Sequence, residues 1–347
     1  MTNPVRLVLT CLLLCSMQLH AQRIMISNLN KHKHGAVYKF SFVQLTDIHV
    51  GEGIADYGTP GYINDTMPTG DIGYSAKRLR KSVNWINAHA QKKGIRFVIV
   101  TGDLTDSGEK SEFDKANEIL STLTIPFIPQ IGNHDVIAHN NISKAQTAFG
   151  DSLNNIVFKN RFDSLRTFFD TWNDGYRQIK VYSPYSRANQ YLQNFMFTYK
   201  GFGFIFCDFN PRFKDHRPAT DKGPKPRLND FTNGSFSWLM HSLDTLPNKG
   251  YHNIFICTHQ PPHHDVMAIY NGLPTDQYNK LTQALLPYRQ HLAFWLAGHT
   301  HRNKAYPVTT LHGHKFVIKA RETSANKAHT NGLLRIINVY QVPGQTN

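Results

Sequence analysis

The stretch Ile131-Gly132-Asn133-His134-Asp135 ends an apolar run that begins at Ile125. The run predicts a strand, and the strand stops abruptly at an amide oxygen, an imidazole and a carboxylate. In α/β sheets, loops at such strand ends collect ligands and catalytic groups. Four residues alone are a weak signal, because Gly-Asn is ordinary turn chemistry and loop histidines are usually solvated. The interpretation therefore depends on whether other strand ends supply partners.

Two earlier strands end in the same kind of residue. The run 38–45 leads into Asp47-Ile48-His49, and the near-continuous apolar run 95–100 leads into Gly102-Asp103-Leu104-Thr105-Asp106. Side chains two residues apart in an extended backbone point to the same side, so Asp47 and His49 can bind one ion. Helical spacing over 75–90 and from about 111 to 123 gives a strand-helix-strand rhythm. This rhythm predicts that the three strand ends share one edge of a sheet.

Two later apolar runs continue the pattern. Residues 254–257 precede His259, and residues 292–297 precede Gly298-His299-Thr300-His301. A hairpin is predicted over 195–206. In the tail, runs such as 314–318 and 333–337 alternate like strands and are predicted to close a second sheet.

The first 21 residues predict a cleaved secretory signal peptide. They contain one positive charge, a short apolar core and the small residue Ala21 before Gln22. The apolar core is too short to span a bilayer comfortably. Lipid anchoring at Cys15 is the alternative, but Leu14 stands where a small residue is wanted. We therefore expect an exported chain, periplasmic or extracellular, with no transmembrane segment after cleavage.

The mature chain would keep two cysteines and a strongly basic charge. Cys207 and Cys257 lie in apolar runs and predict buried thiols, with a disulfide as the alternative that an oxidising compartment permits. The formal net charge of +14 becomes about +13 without Arg6. A basic surface attracts anions, but the charges are spread widely, so no obligate nucleic-acid partner is expected. Nothing in the sequence specifies an oligomeric state.

The motif order Asp-x-His, Gly-Asp, Gly-Asn-His-Asp, His and Gly-His-x-His resembles the calcineurin-like metallophosphoesterase superfamily, from about residue 40 to 301. Each piece alone is common, whereas all of them in sequence at strand ends are a specific signal. The resemblance implies an α/β (α+β) fold, a four-layer αββα sandwich of two mixed sheets with a metal site at the strand ends. It also implies one domain over 22–347, with insertions near 51–73, 136–190 and 210–234. Part of 136–190 is alternatively ordinary helix packed on the core.

The resemblance further implies a site for two divalent or trivalent metal ions. The first ion would be held by Asp47, His49 and His301, and the second by Asn133, His259 and His299. The Asp103 carboxylate would bridge the two ions. Mixed nitrogen and oxygen ligands suit Mn, Fe, Zn or Co. Two ions about 3.5 to 4 Å apart bind a bridging hydroxide at neutral pH, and attack by this hydroxide would cleave a phosphate ester.

The resemblance assigns His134 and Asp106 to catalysis rather than to metal binding. His134 resembles the imidazole that faces the scissile phosphate and stabilises charge or protonates the leaving alkoxide, and Asp106 matches the carboxylate that orients it. Asp135 is expected to be a supporting carboxylate. A scaffold without turnover is the alternative from another class, but such a protein should have lost a ligand or the catalytic histidine.

Departures from other branches narrow the expected substrate. The chain lacks the tyrosine that follows Gly-Asp in purple acid phosphatases, and Ser107 stands where protein serine/threonine phosphatases carry arginine. The motifs look most like the bacterial class III phosphodiesterase branch. The expected partner is thus a small anionic phosphate ester, a diester first and a monoester as the alternative. Tyr57, Tyr62, Trp172 and Arg187 are candidate substrate contacts, with packing or solvation as the alternative role.

Cleavage of the predicted signal peptide can be tested directly. N-terminal sequencing of exported protein should begin at Gln22, because Ala21 is the small residue before the cut. An intact Met1 or an acylated Cys15 would contradict this prediction.

Overall fold

The computed structural model describes residues 25–28, 36–56, 60–61, 65, 69–71, 73–136, 149–175, 177, 179–184, 188–210, 226–262, 272–301, 305–306, 320–321 and 333–341. The predicted signal peptide at 1–21 and residues 211–225 of one predicted insertion lie outside these ranges. None of the helices that the structure describes has both the length and the hydropathy needed to cross a lipid bilayer.

Most of the described strands belong to two mixed sheets. In chain order they are β1 (Met25–Asn28), β2 (Val37–Leu45), β3 (Ile95–Thr101), β4 (Phe127–Gln130), β5 (Thr171–Asn173), β6 (Lys180–Ser183), β7 (Ala188–Tyr191), β8 (Phe195–Tyr199), β9 (Phe202–Phe206), β10 (Asn253–Cys257), β11 (Leu292–Leu296), β12 (Ala305–Tyr306), β13 (Ala320–Arg321) and β14 (Leu333–Gln341). The first sheet has the order β1-β14-β2-β3-β4, the second has the order β12-β13-β11-β10-β9-β8-β5, and β6 pairs with β7 alone.

Helices cover the outer faces of both sheets. They are α1 (Gly73–His89), α2 (Lys110–Leu120), α3 (Asn133–Val136), α4 (Phe149–Val157), α5 (Lys159–Leu165), α6 (Ser235–Asn248) and α7 (Thr275–Leu285), with a 3₁₀ turn at Leu286–Tyr288. Val83 of α1 is buried in the same core as β2 and β3. Trp238 of α6 packs with Ile254 and Ile256 of β10 in a separate core. The predicted four-layer sandwich is confirmed.

Aromatic side chains fill the space between the two sheets. Phe42 of β2 stacks on Phe97 of β3 at 5.2 Å between ring centroids. The same ring meets Phe204 of β9 and Phe255 of β10 edge to face, each at 5.6 Å. Offset and edge-to-face pairs of this kind add to the free energy gained by burial. The aromatic layer therefore fixes the two sheets against each other.

The strand directions place the motif loops at one end of the sandwich. Strands β2, β3 and β4 are parallel, and so are β9, β10 and β11. The carboxyl ends of parallel strands meet at the same edge of a sheet. In each sheet, the loops that carry the motifs therefore leave from one edge.

The C-terminal strand does not join the second sheet as predicted. Strand β14 lies in the first sheet and pairs antiparallel with β2, Ile337 opposite Phe42. The other predicted tail strand, 314–318, lies outside the described residues. An alternating pattern indicates that a segment is a strand, but it does not encode which sheet supplies the partner. The prediction of a second-sheet position for 333–337 was wrong for this reason.

Part of the range 136–190 contributes to the core. Phe158, Phe162, Leu165 and Phe169 are all buried in the cluster that lies between the sheets. Phe169 stacks on Phe197 of β8 at 3.8 Å. The insertions and the domain limits remain predictions, but α4, α5 and β5 are packed elements of the sandwich.

Both cysteines of the predicted mature chain are buried free thiols. They sit on neighbouring parallel strands, and the Cys207 amide donates to the Cys257 carbonyl at 3.0 Å. Burial raises the pKa of each thiol well above its ordinary value. These thiols therefore stay protonated and unreactive.

The first turn of α2 is closed by a buried carboxyl group. Glu112 is 2% exposed and accepts hydrogen bonds from the backbone amides of Ser107 and Glu109, at 2.9 and 3.2 Å. Burial raises the pKa of Glu112 well above its ordinary 4.5, although the Ser107 amide opposes the shift. The folded state therefore holds this proton more tightly than the unfolded chain does. The resulting stabilisation is complete below about pH 4.5 and is lost as pH rises through the folded-state pKa.

We predict that Glu112→Gln becomes more favourable relative to wild type as pH rises from about 5 to about 8, because glutamine carries no ionisable proton. Thermal midpoints of both proteins across this range measure the difference. The control is Glu118→Gln on the same helix, because the Lys115 hydrogen bond lowers the pKa of Glu118. The difference for Glu118→Gln should stay flat above about pH 5. A flat difference for Glu112→Gln as well would contradict the assignment.

Candidate metal centre

The loops after five strands converge, and they carry all seven predicted metal ligands. The ligands follow β2, β3, β4, β10 and β11 in that order, as Asp47 and His49, then Asp103, Asn133, His259, and finally His299 and His301. Their donor atoms form two close sets, one containing Asp47, His49, Asp103 and His301 and the other containing Asp103, His259 and His299. Within each set the atoms lie within 4.8 Å of one another.

The first set mixes two imidazoles with two carboxylates. The Nε2 atoms of His49 and His301 are 3.2 Å apart. His301 Nε2 lies 3.4 Å from Asp47 Oδ1, and His49 Nε2 lies 3.6 Å from Asp103 Oδ2. Each of these nitrogens therefore points at a carboxylate and at another imidazole. The donor atoms thus surround a common point.

The second set lies on the other side of Asp103. His259 Nε2 is 3.0 Å from Asp103 Oδ2 and 3.0 Å from the Asn133 Oδ1 atom. The ring of His299 lies 5.2 Å from the ring of His259, centroid to centroid. Asp103 is thus the residue common to both sets, which is the position that a bridging carboxylate needs.

The donor atoms fit metal ions. Asp47 is 0% exposed, its Oδ1 accepts the His299 amide at 2.8 Å, and its Oδ2 has no hydrogen-bond partner in the described part of the chain. A buried carboxylate oxygen without a donor is costly, and a cation would satisfy it. Imidazole nitrogens with carboxylate and amide oxygens, and no thiolate, suit Mn, Fe, Zn or Co.

The backbone is strained at most of these ligands. Five of them adopt left-handed φ angles, namely Asp47 at 51°, His49 at 52°, Asp103 at 51°, His299 at 74° and His301 at 53°. Such angles are uncommon outside glycine and cost of order 1–3 kcal/mol each. Strain of this kind persists only where the surrounding structure enforces it, and here it coincides with the converging side chains. Secondary-structure propensity alone would not give this geometry.

Two motif glycines are required by close approach. A Cβ on Gly132 would lie 2.1 Å from Asp103 Oδ1, and a Cβ on Gly298 would lie 2.0 Å from Thr46 Oγ1. Neither distance is tolerable for a real side chain. The Gly-Asn and Gly-His pairs therefore belong to the site because only glycine lets neighbouring loops approach this closely.

Burial and charge set the proton affinities at the centre. Burial lowers the pKa of His259, but the attraction of Asp103 outweighs it and the net effect raises this pKa to about 9. Burial raises the pKa of Asp103, but the attraction of His259 and other imidazoles holds it well below its ordinary value. The site thus concentrates positive charge around a buried carboxylate. Metal binding would displace these protons, because ligand imidazoles must be neutral.

Partners on the far side of two rings fix which nitrogen faces the centre. His259 Nδ1 lies 2.9 Å from the Thr101 carbonyl oxygen, so Nδ1 must donate, and Nε2 is the nitrogen that faces the other donor atoms. His49 Nδ1 lies 3.2 Å from Asp106 Oδ1, which fixes the same tautomer. Carbonyl and carboxylate partners of this kind orient ligand histidines in metal sites.

His134 is held mainly by the backbone. Its Nδ1 donates to the main-chain carbonyl of Asp106 at 2.6 Å, and the Asp106 carboxylate is farther away at 3.8 Å. The same carboxylate oxygen is closer to His49 Nδ1, and the two rings lie 4.4 Å apart. The prediction linked Asp106 to His134 alone. The structure places its carboxylate between the proposed catalytic ring and a proposed ligand.

Asp135 ties two of the motif loops together. Its carboxylate accepts hydrogen bonds from the backbone amides of Gly132, Leu104 and Thr105 at 2.7, 3.2 and 2.9 Å, and from the Thr105 hydroxyl at 2.7 Å. Burial, followed by the charge of Asp103, raises the pKa of Asp135 to about 6. The carboxylate therefore supports the Gly-Asp and Gly-Asn loops rather than facing the donor atoms.

Sequence reasoning overlooked two buried glutamines. Gln44 and Gln130 are 0% exposed, and each stands three residues before a predicted ligand, Asp47 and Asn133 respectively. The repeated spacing, with a glutamine at the carboxyl end of each strand, was an available signal. Of the candidate substrate contacts, Trp172 stacks on Phe197 at 5.7 Å, whereas the others lie outside the described residues.

Comparison with known proteins gives the site its context. A sequence model described as calcineurin-like phosphoesterase matches residues 40–303. The chain belongs to the calcineurin-like phosphoesterase family. Among relatives, a probable cyclic nucleotide phosphodiesterase of Rhodopseudomonas palustris is 38% identical over 95 residues, which is 27% of this chain and 29% of that protein. The matched segment therefore spans less than a third of that relative.

Two solved structures of phosphatases are also similar. A purple acid phosphatase from yellow lupin seeds has 13% identity and a TM-score of 0.44, over 89% of this chain and 46% of that one. A dimetal phosphatase from Danio rerio has 13% identity and a TM-score of 0.44, over 86% and 87% of the two chains.

Metal content separates ligands from catalysts at this centre. Asp103→Ala should lose bound metal because its carboxylate is common to both donor sets, whereas His134→Ala should keep wild-type metal content. Elemental analysis of the purified proteins measures both, with Asp103→Asn as the near-isosteric control. A His134→Ala protein emptied of metal would make His134 a ligand.

Proposed function

We propose that the protein is an exported dinuclear-metal phosphoesterase that hydrolyses a phosphodiester. The observation that carries this proposal is the position of Asp103, which is buried and common to both donor sets. Two adjoining sets that share one carboxylate match the arrangement of a dinuclear site. In the proposal, Asp47, His49 and His301 hold the first ion, and Asn133, His259 and His299 hold the second.

Bound metal ions would supply Lewis acidity at the phosphoryl group and a nucleophile at neutral pH. The protein contributes a fixed and largely buried frame of donors. His49 and His259 each present Nε2, because their Nδ1 atoms are engaged by Asp106 and by the Thr101 carbonyl. These contacts keep the ligand nitrogens aimed before any ion binds, which reduces the reorganisation that binding requires.

His134 is the proposed general acid. Since a carbonyl oxygen can only accept, the contact with the Asp106 main chain fixes the proton of Nδ1. Nε2 is then the nitrogen that exchanges a proton with the leaving oxygen. The side chain is 28% exposed, unlike the buried His259, so a substrate can reach it.

Three observations support a small anionic diester as the substrate. The motifs resemble the class III phosphodiesterase branch, and the Rhodopseudomonas relative bears a cyclic nucleotide phosphodiesterase description. The basic charge of the chain attracts anions. Export would place the activity in the periplasm or outside the cell.

Substrate class is tested with metal-reconstituted protein and two chromogenic esters. We expect a higher kcat/KM on bis-p-nitrophenyl phosphate than on p-nitrophenyl phosphate, because the proposed substrate is a diester. The reverse order would assign a phosphomonoesterase. Absence of turnover on both, with two ions bound, would favour a non-catalytic scaffold.

The role of His134 predicts a dependence on the leaving group. His134→Ala should lower kcat by about 10²- to 10⁴-fold on an alkyl phosphodiester, whose alkoxide needs a proton. The loss should be much smaller on a nitrophenyl diester, whose leaving group is stable as an anion. Equal losses on both esters would show that His134 stabilises charge rather than donating a proton.

A further inference from the structure

The seven proposed ligands come from two separate sheets, so their spacing depends on how the sheet edges are joined. Asn133 follows β4 of the first sheet, and His259 follows β10 of the second. The aromatic layer between the sheets is mostly apolar, and its hydrogen bond from Arg96 Nε of β3 to the Tyr199 hydroxyl of β8, at 3.2 Å, lies at the amino-terminal end of β3, away from the motif loops. Polar contacts that cross between the sheets at this edge therefore control the distance between Asn133 and His259.

Gln130, the last residue of β4, makes such a contact. Its Nε2 donates to two main-chain carbonyls of the second sheet, Cys257 at 2.9 Å and Cys207 at 3.2 Å. Cys257 ends β10, two residues before His259. One fully buried amide thus joins the strand that precedes Asn133 to the strand that precedes His259.

Asn210 makes the return contact from the second sheet. Its Nδ2 donates to the Ile131 carbonyl at 2.9 Å, two residues before Asn133. Its Oδ1 accepts from Gln260 Nε2 at 2.7 Å, and Gln260 adjoins His259. Asp208 in turn accepts from Asn210 Nδ2 at 2.9 Å and from its backbone amide at 3.1 Å. Asn210 is therefore itself held in place, and it is 0% exposed.

These contacts reach the chain next to Asn133 and His259, which are proposed ligands of the second ion. Gln130 reaches Cys257, and Asn210 reaches Ile131 and Gln260, in addition to their contacts with Cys207 and Asp208. Asp47, a proposed ligand of the first ion, is joined to the second sheet by other contacts, because its Oδ1 accepts the His299 amide at 2.8 Å and Gln44, three residues before it, donates to the Ala297 carbonyl at 3.0 Å. The amide contacts are thus placed to act on one ion more than on the other.

We propose that Gln130, Asn210 and Gln260, here named the amide clamp, position Asn133 and His259 and thereby set the affinity of the second metal ion. This inference rests on the proposed dinuclear function. The three residues are positioning residues, since they act through two ligands and touch neither substrate nor metal.

Loss of a supporting partner around a metal site typically costs about 10- to 100-fold in metal affinity. Gln130→Leu is the sharpest variant, because Gln130 Oε1 has no partner in the described residues. After this change the Cys257 carbonyl keeps the Cys207 amide as a donor, whereas the Cys207 carbonyl loses a buried hydrogen bond, so some loss of stability is expected and the thermal midpoint of Gln130→Leu is measured first. A change in affinity for the second ion can then be distinguished from general unfolding. Asn210→Ala tests the return contact and is accepted only if its thermal midpoint shows a folded protein.

The experiment titrates chelator-stripped mature protein with Mn²⁺ and follows bound metal and the electron paramagnetic resonance spectrum. The matched control is Gln193→Leu. Gln193 is a 1% exposed amide whose Nε2 donates only to the nearby Tyr191 carbonyl, at 3.3 Å, among the described residues. Wild type and Gln193→Leu should bind two ions and show the signal of an exchange-coupled pair.

Gln130→Leu and Asn210→Ala should keep the first ion at wild-type affinity and weaken the second by about 10- to 100-fold. At equal Mn²⁺ their spectra should show a mononuclear ion where wild type shows the coupled pair. Unchanged affinity for the second ion, or equal weakening of both ions, would overturn the amide clamp while leaving the dinuclear function intact. A wild type that binds fewer than two ions would overturn the proposed function first.

Discussion

The structure depends on one constraint, which is that side chains from two separate sheets must converge on the buried carboxylate of Asp103. This residue is 1% exposed and lies beside His49 of the first sheet and His259 of the second. A lone carboxylate at that depth would be very costly, so it exists there only because cations or protonated imidazoles surround it. Attraction between the Asp103 carboxylate and the His259 imidazolium explains both the low pKa of Asp103 and the raised pKa of His259. The site is therefore complete only when the two sheets are packed together.

The rest of the architecture reduces the cost of that convergence. Interlocked phenylalanines hold the sheets face to face, and glycines at 132 and 298 let the loops approach within a distance that any side chain would prevent. At five of the predicted ligands the backbone adopts left-handed φ angles, which are unfavourable for these residues but bring their donor atoms together. Asp135 and the amide clamp then tie the loops to one another. Strain of this kind is acceptable where binding a metal ion returns more free energy than the strained backbone loses.

The sequence was informative where a residue type is dictated by chemistry. The convergence of Asp47, Asp103 and His259 could be predicted because apolar runs end abruptly at donor side chains in a recognisable order. Contacts between distant elements were not accessible in the same way. The pairing of β14 with β2 and the 3.2 Å approach of Asp106 to His49 follow from how the sheets close, and no local period encodes them. Gln44 and Gln130 were overlooked because a polar residue in a strand usually indicates a solvent-facing position, whereas both side chains are buried here.

Anomalous diffraction from crystals of the full mature protein grown with Mn²⁺ tests the dinuclear site most directly. We expect two anomalous peaks about 3.5 to 4 Å apart, one on each side of the Asp103 carboxylate. The peak nearer Asp47 should contact His301, and the other should contact His259 and Asn133. A single peak, or a pair of peaks that Asp103 does not bridge, would contradict the proposal that this chain is a dinuclear phosphoesterase.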